Sequence, residues 1–215
     1  MDFETMGSLG AKTNKVAAIS HIYYPDLCED IFEVAQNLGD GIDFYVTVSE
    51  ELTDLVDTIR QRFPNAKIFP VENRGRDILP FIEVLKRILP LNYELLVKIH
   101  TKKSLHRDDG TSWRKDVFEK LLGSPETVAK AKKAFKQDPA LGILGAQGHV
   151  LNNRFYKGDD QELVKELAKR LGFNVNKTAE FPFVASTMFW ARPKVFQPLI
   201  DANIRAEDFP EEPLP

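Results

Sequence analysis

The sequence has a single cysteine, Cys28, so it forms no intramolecular disulfide, and such usage fits a reducing compartment. In Pro25-Asp26-Leu27-Cys28 the thiol reads as a core-facing helix residue rather than a nucleophile. No apolar run approaches the roughly 18 residues of a membrane span, and no signal-peptide pattern opens the chain. A cytoplasmic protein is expected, with any membrane association peripheral, at the inner face. Charge of one sign is also lacking: 29 basic and 32 acidic side chains leave a formal net charge of −3, which offers no field for nucleic acid. The four histidines are scattered, and no group has metal-ligand spacing. Neither Gly-x-x-x-x-Gly-Lys-Ser/Thr nor, after the first strand, Gly-x-Gly-x-x-Gly occurs, which argues against a Walker loop and against dinucleotide binding. There is no internal repeat.

What is present is an apolar core. Hydrophobic residues make up 43% of the chain, including 15 Phe, enough for one sizeable core. Residues 1–14 have no periodicity and read as a disordered lead, linker or tag. From there the pattern alternates. A strand over 15–24 ends in His21 and Tyr23. A helix opens at Pro25-Asp26, with Leu27, Ile31, Val34, Ala35 and Leu38 inward, and closes at Gly39-Asp40-Gly41. Strands over 42–49, 66–71 and 91–99 alternate with helices over 50–63 and 78–89. Short β-α connections of this kind give an α/β fold, a mostly parallel sheet flanked by helices. The second half is less regular. It offers a helix capped by Ser112, a helix over 126–137, a strand over 141–145, a loop-rich stretch over 145–158, a helix over 161–171, a strand pair or kinked strand over 181–191, and a helix from Arg192-Pro193 to Ile200. Residues 15–215 read as one domain.

Ligands of such sheets bind beyond the carboxyl ends of the strands, and four polar clusters follow strand ends. They are His21/Tyr23, Ser49/Glu50, Asn73-Arg74-Gly75-Arg76-Asp77 and His100-Thr101-Lys102-Lys103-Ser104. The last puts an imidazole, two ammonium groups and two hydroxyls within five residues, which suits a phosphate or diphosphate. The two arginines around Gly75, at the start of a helix, suit the same anion. The plainer alternatives are a solvated basic loop and an Asp77-capped helix start. Asp108-Asp109 could hold a divalent cation at a diphosphate or be an ordinary exposed loop. Candidate bases are Asp77, Asp108, Asp109, Asp208, Glu211 and Glu212. Trp113-Arg114 is either a platform for a sugar or base, or a helix start with Trp113 in the core.

Six blocks taken together carry a resemblance. They are 73–81, 98–104, Trp113-Arg114, Leu121-Leu122-Gly123-Ser124, 187–193 and 208–215, and in this order they resemble the rhamnan synthesis protein F family over roughly residue 15 to the end. The resemblance implies a GT-A-like (Rossmann-like) nucleotide-sugar fold. The implied activity is transfer of rhamnose or a related deoxysugar from a nucleotide diphosphate sugar, dTDP-rhamnose first, to a growing cell-wall or surface glycan or a lipid-linked glycan. On that resemblance His21, Tyr23, Ser49, Arg74, Arg76 and Asp77 line the nucleotide-sugar pocket. His100, Thr101, Lys102, Lys103 and Ser104 stand where many such enzymes carry an Asp-x-Asp metal motif. Cations in place of carboxylates imply metal-independent stabilisation of the leaving diphosphate, with no cofactor required and a divalent cation still open. Trp113, Arg114, Thr187, Met188 and Trp190 fall on the acceptor side, and Glu211 or Glu212 is the base if transfer inverts the anomeric centre. Family members continue past the Pro-Glu-Glu-Pro-Leu-Pro block, so a truncated domain is expected. The competing expectation is a non-catalytic nucleotide-sugar or glycan-binding module of a larger assembly protein.

Overall fold

The computed structural model describes residues 12–52, 54–103, 110–154, 161–173 and 180–212. Its first half is the expected alternation. Strands β1 (Val16–Ile22), β2 (Ile42–Ser49), β3 (Lys67–Val71) and β4 (Leu95–His100) are separated by helices α1 (Cys28–Gln36), α2 (Leu55–Arg62) and α3 (Ile78–Ile88). Then come α4 (Gly110–Leu122), α5 (Pro125–Gln137), β5 (Ile143–Gly145), β6 (Val150–Asn152), α6 (Gln161–Arg170), β7 (Pro182–Val184), β8 (Phe189–Ala191) and α7 (Gln197–Asp201).

Six strands form one sheet in the order β3-β2-β1-β4-β8-β5, and β6 pairs with β7 separately. β1 to β4 are parallel to one another. β8 runs against both of its neighbours, β4 and β5, so it is the one reversed strand in a mostly parallel, Rossmann-like sheet. Every residue of β1 and β4 is buried, as in strands covered on both faces. One face packs Ala18, Val46, Val48, Val97 and Ile99 against α1, α2, α4 and α5. The other packs Ala17, Ile19, Tyr45 and Leu96 against the apolar stripe of α3. The chain steps from β1 outward to β2 and β3, then returns to place β4 on the other side of β1. In open α/β sheets such a reversal is where ligands bind, and here it falls at the carboxyl ends of β1 and β4.

Several boundaries differ from the sequence expectation for visible reasons. The helix expected over 50–63 is a 3-10 turn (Glu50–Leu52) followed by α2. β4 starts at Leu95 because Leu89–Leu91 is a 3-10 turn closed by Asn92 at φ +54°. Ser112 lies inside α4, which begins at Gly110, so it is not the cap. Ser124 does cap α5, accepting the Thr127 N–H at 3.2 Å. The stretch over 181–191 is neither a hairpin nor one kinked strand: β7 and β8 belong to different sheets. Among the described residues no helix is long and apolar enough to cross a membrane.

Candidate functional site

Strand pairing sets the floor of the site. His21 of β1 is in register with His100 of β4 and with Thr47 of β2, and Ile19 with Lys98. Side chains alternate along a strand, so His21, Thr47, Ser49, Lys98 and His100 share the face that α3 covers, all at the carboxyl ends. They are buried. At the start of α3 stands Asp77. Its carboxylate does not cap the helix. It turns inward, accepting from Lys98 Nζ at 2.5 Å and from Thr187 Oγ1 at 2.9 Å. Lys98 donates also to the Thr187 carbonyl at 2.9 Å, and His100 Nδ1 lies 3.5 Å from Asp77 Oδ2.

This is an ion pair in a dry place, and burial governs its protonation. Burial opposes ionisation of Asp77, but Lys98 first, then His100 and the Thr187 hydrogen bond, outweigh it and hold the carboxyl well below its ordinary range. Burial lowers the Lys98 ammonium, with Asp77 acting against the shift. For the two imidazoles Asp77 also acts against the shift but is outweighed. Burial pushes His21 down to about 4 and His100 to about 3, with Lys98 adding to both. This corrects the expectation that His100 supplies positive charge to a phosphate: it is neutral at pH 7 because desolvation and neighbouring cations oppose the imidazolium.

The rim is a loop with a second segment laid over it. Gly75 and Arg76 have positive φ (+65° and +52°), and so does Thr187 (+54°). The last is β-branched and strained in this region, and such strain gathers at functional sites. Arg74 donates from Nε and Nη2 to the Phe209 carbonyl at 3.1 and 2.9 Å, and its backbone forms an antiparallel bridge with Glu211. Arg76 pairs with Glu212 at 3.4 Å. The Phe209 ring sits over Gly75, where a Cβ would approach it to 2.9 Å. The fold thus joins the two-arginine loop to the acidic end of the chain, more than 130 residues apart in sequence.

The remaining candidates divide. Thr101 Oγ1 accepts the Tyr23 and Tyr24 N–H groups at 2.9 and 3.1 Å, fixing the turn after β1. Tyr23 stands partly exposed beside it. Lys103 pairs with Asp26 at 2.6 Å, and Lys102 lies 5.7 Å from the centre of the Trp113 ring. Ser49 is buried, and its Oγ makes no hydrogen bond among the described residues. Ser104, Asp108 and Asp109 lie outside the described residues. Three acceptor-side expectations are corrected. Met188 and Trp190 are wholly buried, and the Trp190 indole donates to the Leu121 carbonyl at 3.1 Å; they are core. Arg114 is buried too, donating to Asp30 at 2.8 and 3.0 Å and to the Lys102 carbonyl at 2.9 Å; it ties α4 to α1 and to the loop after β4. Trp113 keeps a partly exposed ring, edge-on to His149 at 5.3 Å.

Sequence reasoning passed over Lys98, Thr47 and Thr187's link to Asp77. A lysine inside Leu-Leu-Val-Lys-Ile-His was the available signal: a charge in a buried strand needs a partner. Among the described residues no group of three or more His, Cys, Asp or Glu is arranged to hold a metal ion.

Two similar chains, both named uncharacterized protein WxcX, come from Xanthomonas campestris pv. campestris, strains B100 and ATCC 33913. Each is 34% identical over 197 residues, covering 90% of this chain and 28% of its own length. The chain therefore spans little more than a quarter of these curated relatives. The family model described as rhamnan synthesis protein F matches residues 3–215, nearly the whole sequence, and the chain belongs to that family.

Proposed function

We propose that this domain binds a nucleotide diphosphate sugar and transfers its deoxysugar, rhamnose first, to a growing surface glycan. Membership of the family ties the chain to rhamnan and polysaccharide synthesis; the donor, the transfer and the acceptor are the proposal. One observation carries it: a buried Asp77–Lys98 pair with two neutral imidazoles at a strand-order reversal, rimmed by Arg74, Arg76 and Lys102. Parallel sheets bind nucleotides at that point, and cations on the rim suit the diphosphate.

In this reading Lys102 meets the phosphates, joined by Arg76 once it exchanges Glu212 for them, while Arg74 stays committed to Phe209 and Lys103 to Asp26. Stabilisation of the leaving diphosphate is by these cations, without a metal. Glu211 and Glu212, held against the arginine loop, stand ready to accept the proton of the acceptor hydroxyl. Calorimetry with dTDP, UDP and GDP tests the reading, and failure of all three to bind would sink it. Hydrolysis of dTDP-rhamnose with and without EDTA then tests turnover and metal independence.

A second reading, a non-catalytic nucleotide-sugar or glycan-binding module, draws on a specific observation. Several cations near the edge are already neutralised from within, Arg76 by Glu212, Lys103 by Asp26 and Arg114 by Asp30. Binding of donor without any turnover would select it.

A further inference from the structure

A second cluster stands on the same edge of the sheet, on the α4 side. β4 and β5 both run against β8, so they point the same way and their carboxyl ends share one edge. His149 follows the end of β5 closely. Its backbone N–H donates to the Ala146 carbonyl at 2.9 Å, and its carbonyl takes the Ala185 N–H at 3.0 Å. α4 begins at that edge too, since Arg114 in its first turns reaches the Lys102 carbonyl just beyond β4. Trp113, Asp116 and Lys120 are three and four positions apart, which places them on one stripe of α4. His149 packs on that stripe. Its ring is edge-on to Trp113 at 5.3 Å, and its Nε2 lies 2.6 Å from Asp116 Oδ2.

The two oxygens of Asp116 are used unequally. His149 Nε2 and Lys120 Nζ, at 2.6 and 2.7 Å, both meet Oδ2. Oδ1 takes no hydrogen bond among the described residues, and the side chain is 44% exposed. The carboxylate is therefore fixed through one oxygen and open at the other. An ionised carboxylate only accepts, so the open oxygen suits an O–H group, in a hydrogen bond that the charge strengthens. Beside it on the helix is the half-buried indole of Trp113, and Lys102 Nζ lies 5.7 Å from the centre of that ring. Aromatic surface next to a directed polar acceptor suits a sugar ring, which has an apolar C–H side and hydroxyls at its edge.

We infer that Trp113 and Asp116, positioned by His149, form a subsite for a neutral acceptor saccharide: the indole takes the C–H side of one sugar unit, and Asp116 Oδ1 accepts from one of its hydroxyls. This deepens the nucleotide-sugar reading and rests on it. There Lys102 meets the diphosphate, so a sugar on the adjacent indole lies beside the charged end of the donor. An acidic sugar would set its carboxylate against Asp116, and like charges in contact are selected against. Asp116 holds the hydroxyl and does not deprotonate it. The hydrogen bonds from His149 first and then Lys120 keep its carboxyl below the ordinary range, which makes it a poor base, and proton removal stays with the acidic segment.

The chain has two tryptophans, and Trp190 is buried with its indole on Leu121. Indole ¹H–¹⁵N signals therefore report on the subsite separately from the core, with Trp113→Phe assigning them. In the presence of dTDP, neutral disaccharides of rhamnose, glucose and galactose are titrated, with digalacturonate as the anionic control. At least one neutral disaccharide should move the Trp113 signal and leave that of Trp190 in place. Asp116→Ala should weaken this binding roughly tenfold, and Asp116→Asn, which keeps an acceptor, should weaken it less. Both variants should bind dTDP as wild type does. A Trp113 signal that no neutral disaccharide moves, an equal response to digalacturonate, or unchanged saccharide affinity in Asp116→Ala overturns the subsite. So does a loss of dTDP affinity in Asp116→Ala, which would make the cluster a support of the fold. No dTDP binding by wild type overturns the nucleotide-sugar reading instead.

Discussion

At the scale of single residues the molecule concentrates its electrostatic risk in Asp77, Lys98, His21 and His100. A folded-state histidine pKa below its usual 6.5 means that the unfolded chain binds the proton first. Stability contributed by the neutral rings is therefore complete above about pH 6.5 and falls as pH drops toward the folded values of about 4 for His21 and about 3 for His100. At pH 5 each ring should cost roughly 2 kcal/mol. Melting curves should show a fall between pH 7 and 5 that His100→Gln reduces by part of its depth; an identical fall in the variant would contradict the burial account. Asp77 acts in the opposite part of the scale. Its lowered pKa keeps the ion pair intact until strongly acidic solution. Asp77→Asn leaves the buried Lys98 side chain, 2% exposed, without its anion, which should cost about 3–5 kcal/mol in chemical denaturation. Lys98 was hard to see in the sequence because a lysine between apolar residues reads equally as an edge position. Only the partner, 21 positions earlier, explains it.

At the scale of elements, the arginine loop and the segment over 208–212 behave as one unit. Arg170 clasps Asp208 with two contacts, at 2.7 and 3.1 Å, and holds the Ala202 and Asn203 carbonyls. From there the chain reaches the Arg74–Phe209 and Arg76–Glu212 contacts. Gly75 is the hinge of this arrangement. At φ +65° a side chain is strained, and a Cβ would meet Leu79 Cβ at 2.7 Å and the Phe209 ring at 2.9 Å. Gly75→Ala should cost about 1–3 kcal/mol and weaken nucleotide binding by displacing Glu212 and Arg76. Adding Phe209→Ala should recover only part of the stability, since the strain and the Leu79 contact remain. Full recovery in thermal denaturation would place the whole effect on the ring. Both halves of this unit were legible as motifs, Arg-Gly-Arg-Asp and Pro-Glu-Glu-Pro. Their junction was not, because no local pattern encodes a contact of separation 135.

At the scale of the whole molecule, the legible part of the fold is the part built from short connections. β1 to β4 and α1 to α3 follow from period-two and period-3.6 patterns with turn residues between, and right-handed crossovers leave few ways to arrange them. The insertion of β8 between β4 and β5 is different in kind. It pairs Val97 with Trp190 across more than ninety positions, and Leu144 with the same residue from the other side. Phe189-Trp190-Ala191 read as part of a strand pair or a kinked strand, and the family resemblance put Trp190 on the acceptor side. In the sheet Trp190 is instead the largest fully buried side chain, anchoring the α4 side of the core through its indole N–H on Leu121. A core role and an acceptor role make opposite predictions for Trp190→Phe. Removing the indole leaves the Leu121 carbonyl short of a partner and opens a small void, together worth about 1–3 kcal/mol of stability. Affinity for dTDP, and any rate of donor turnover, should match wild type at a temperature where both are folded. A stable variant with weakened glycan transfer would return Trp190 to the acceptor side and require β8 to leave the sheet during the reaction.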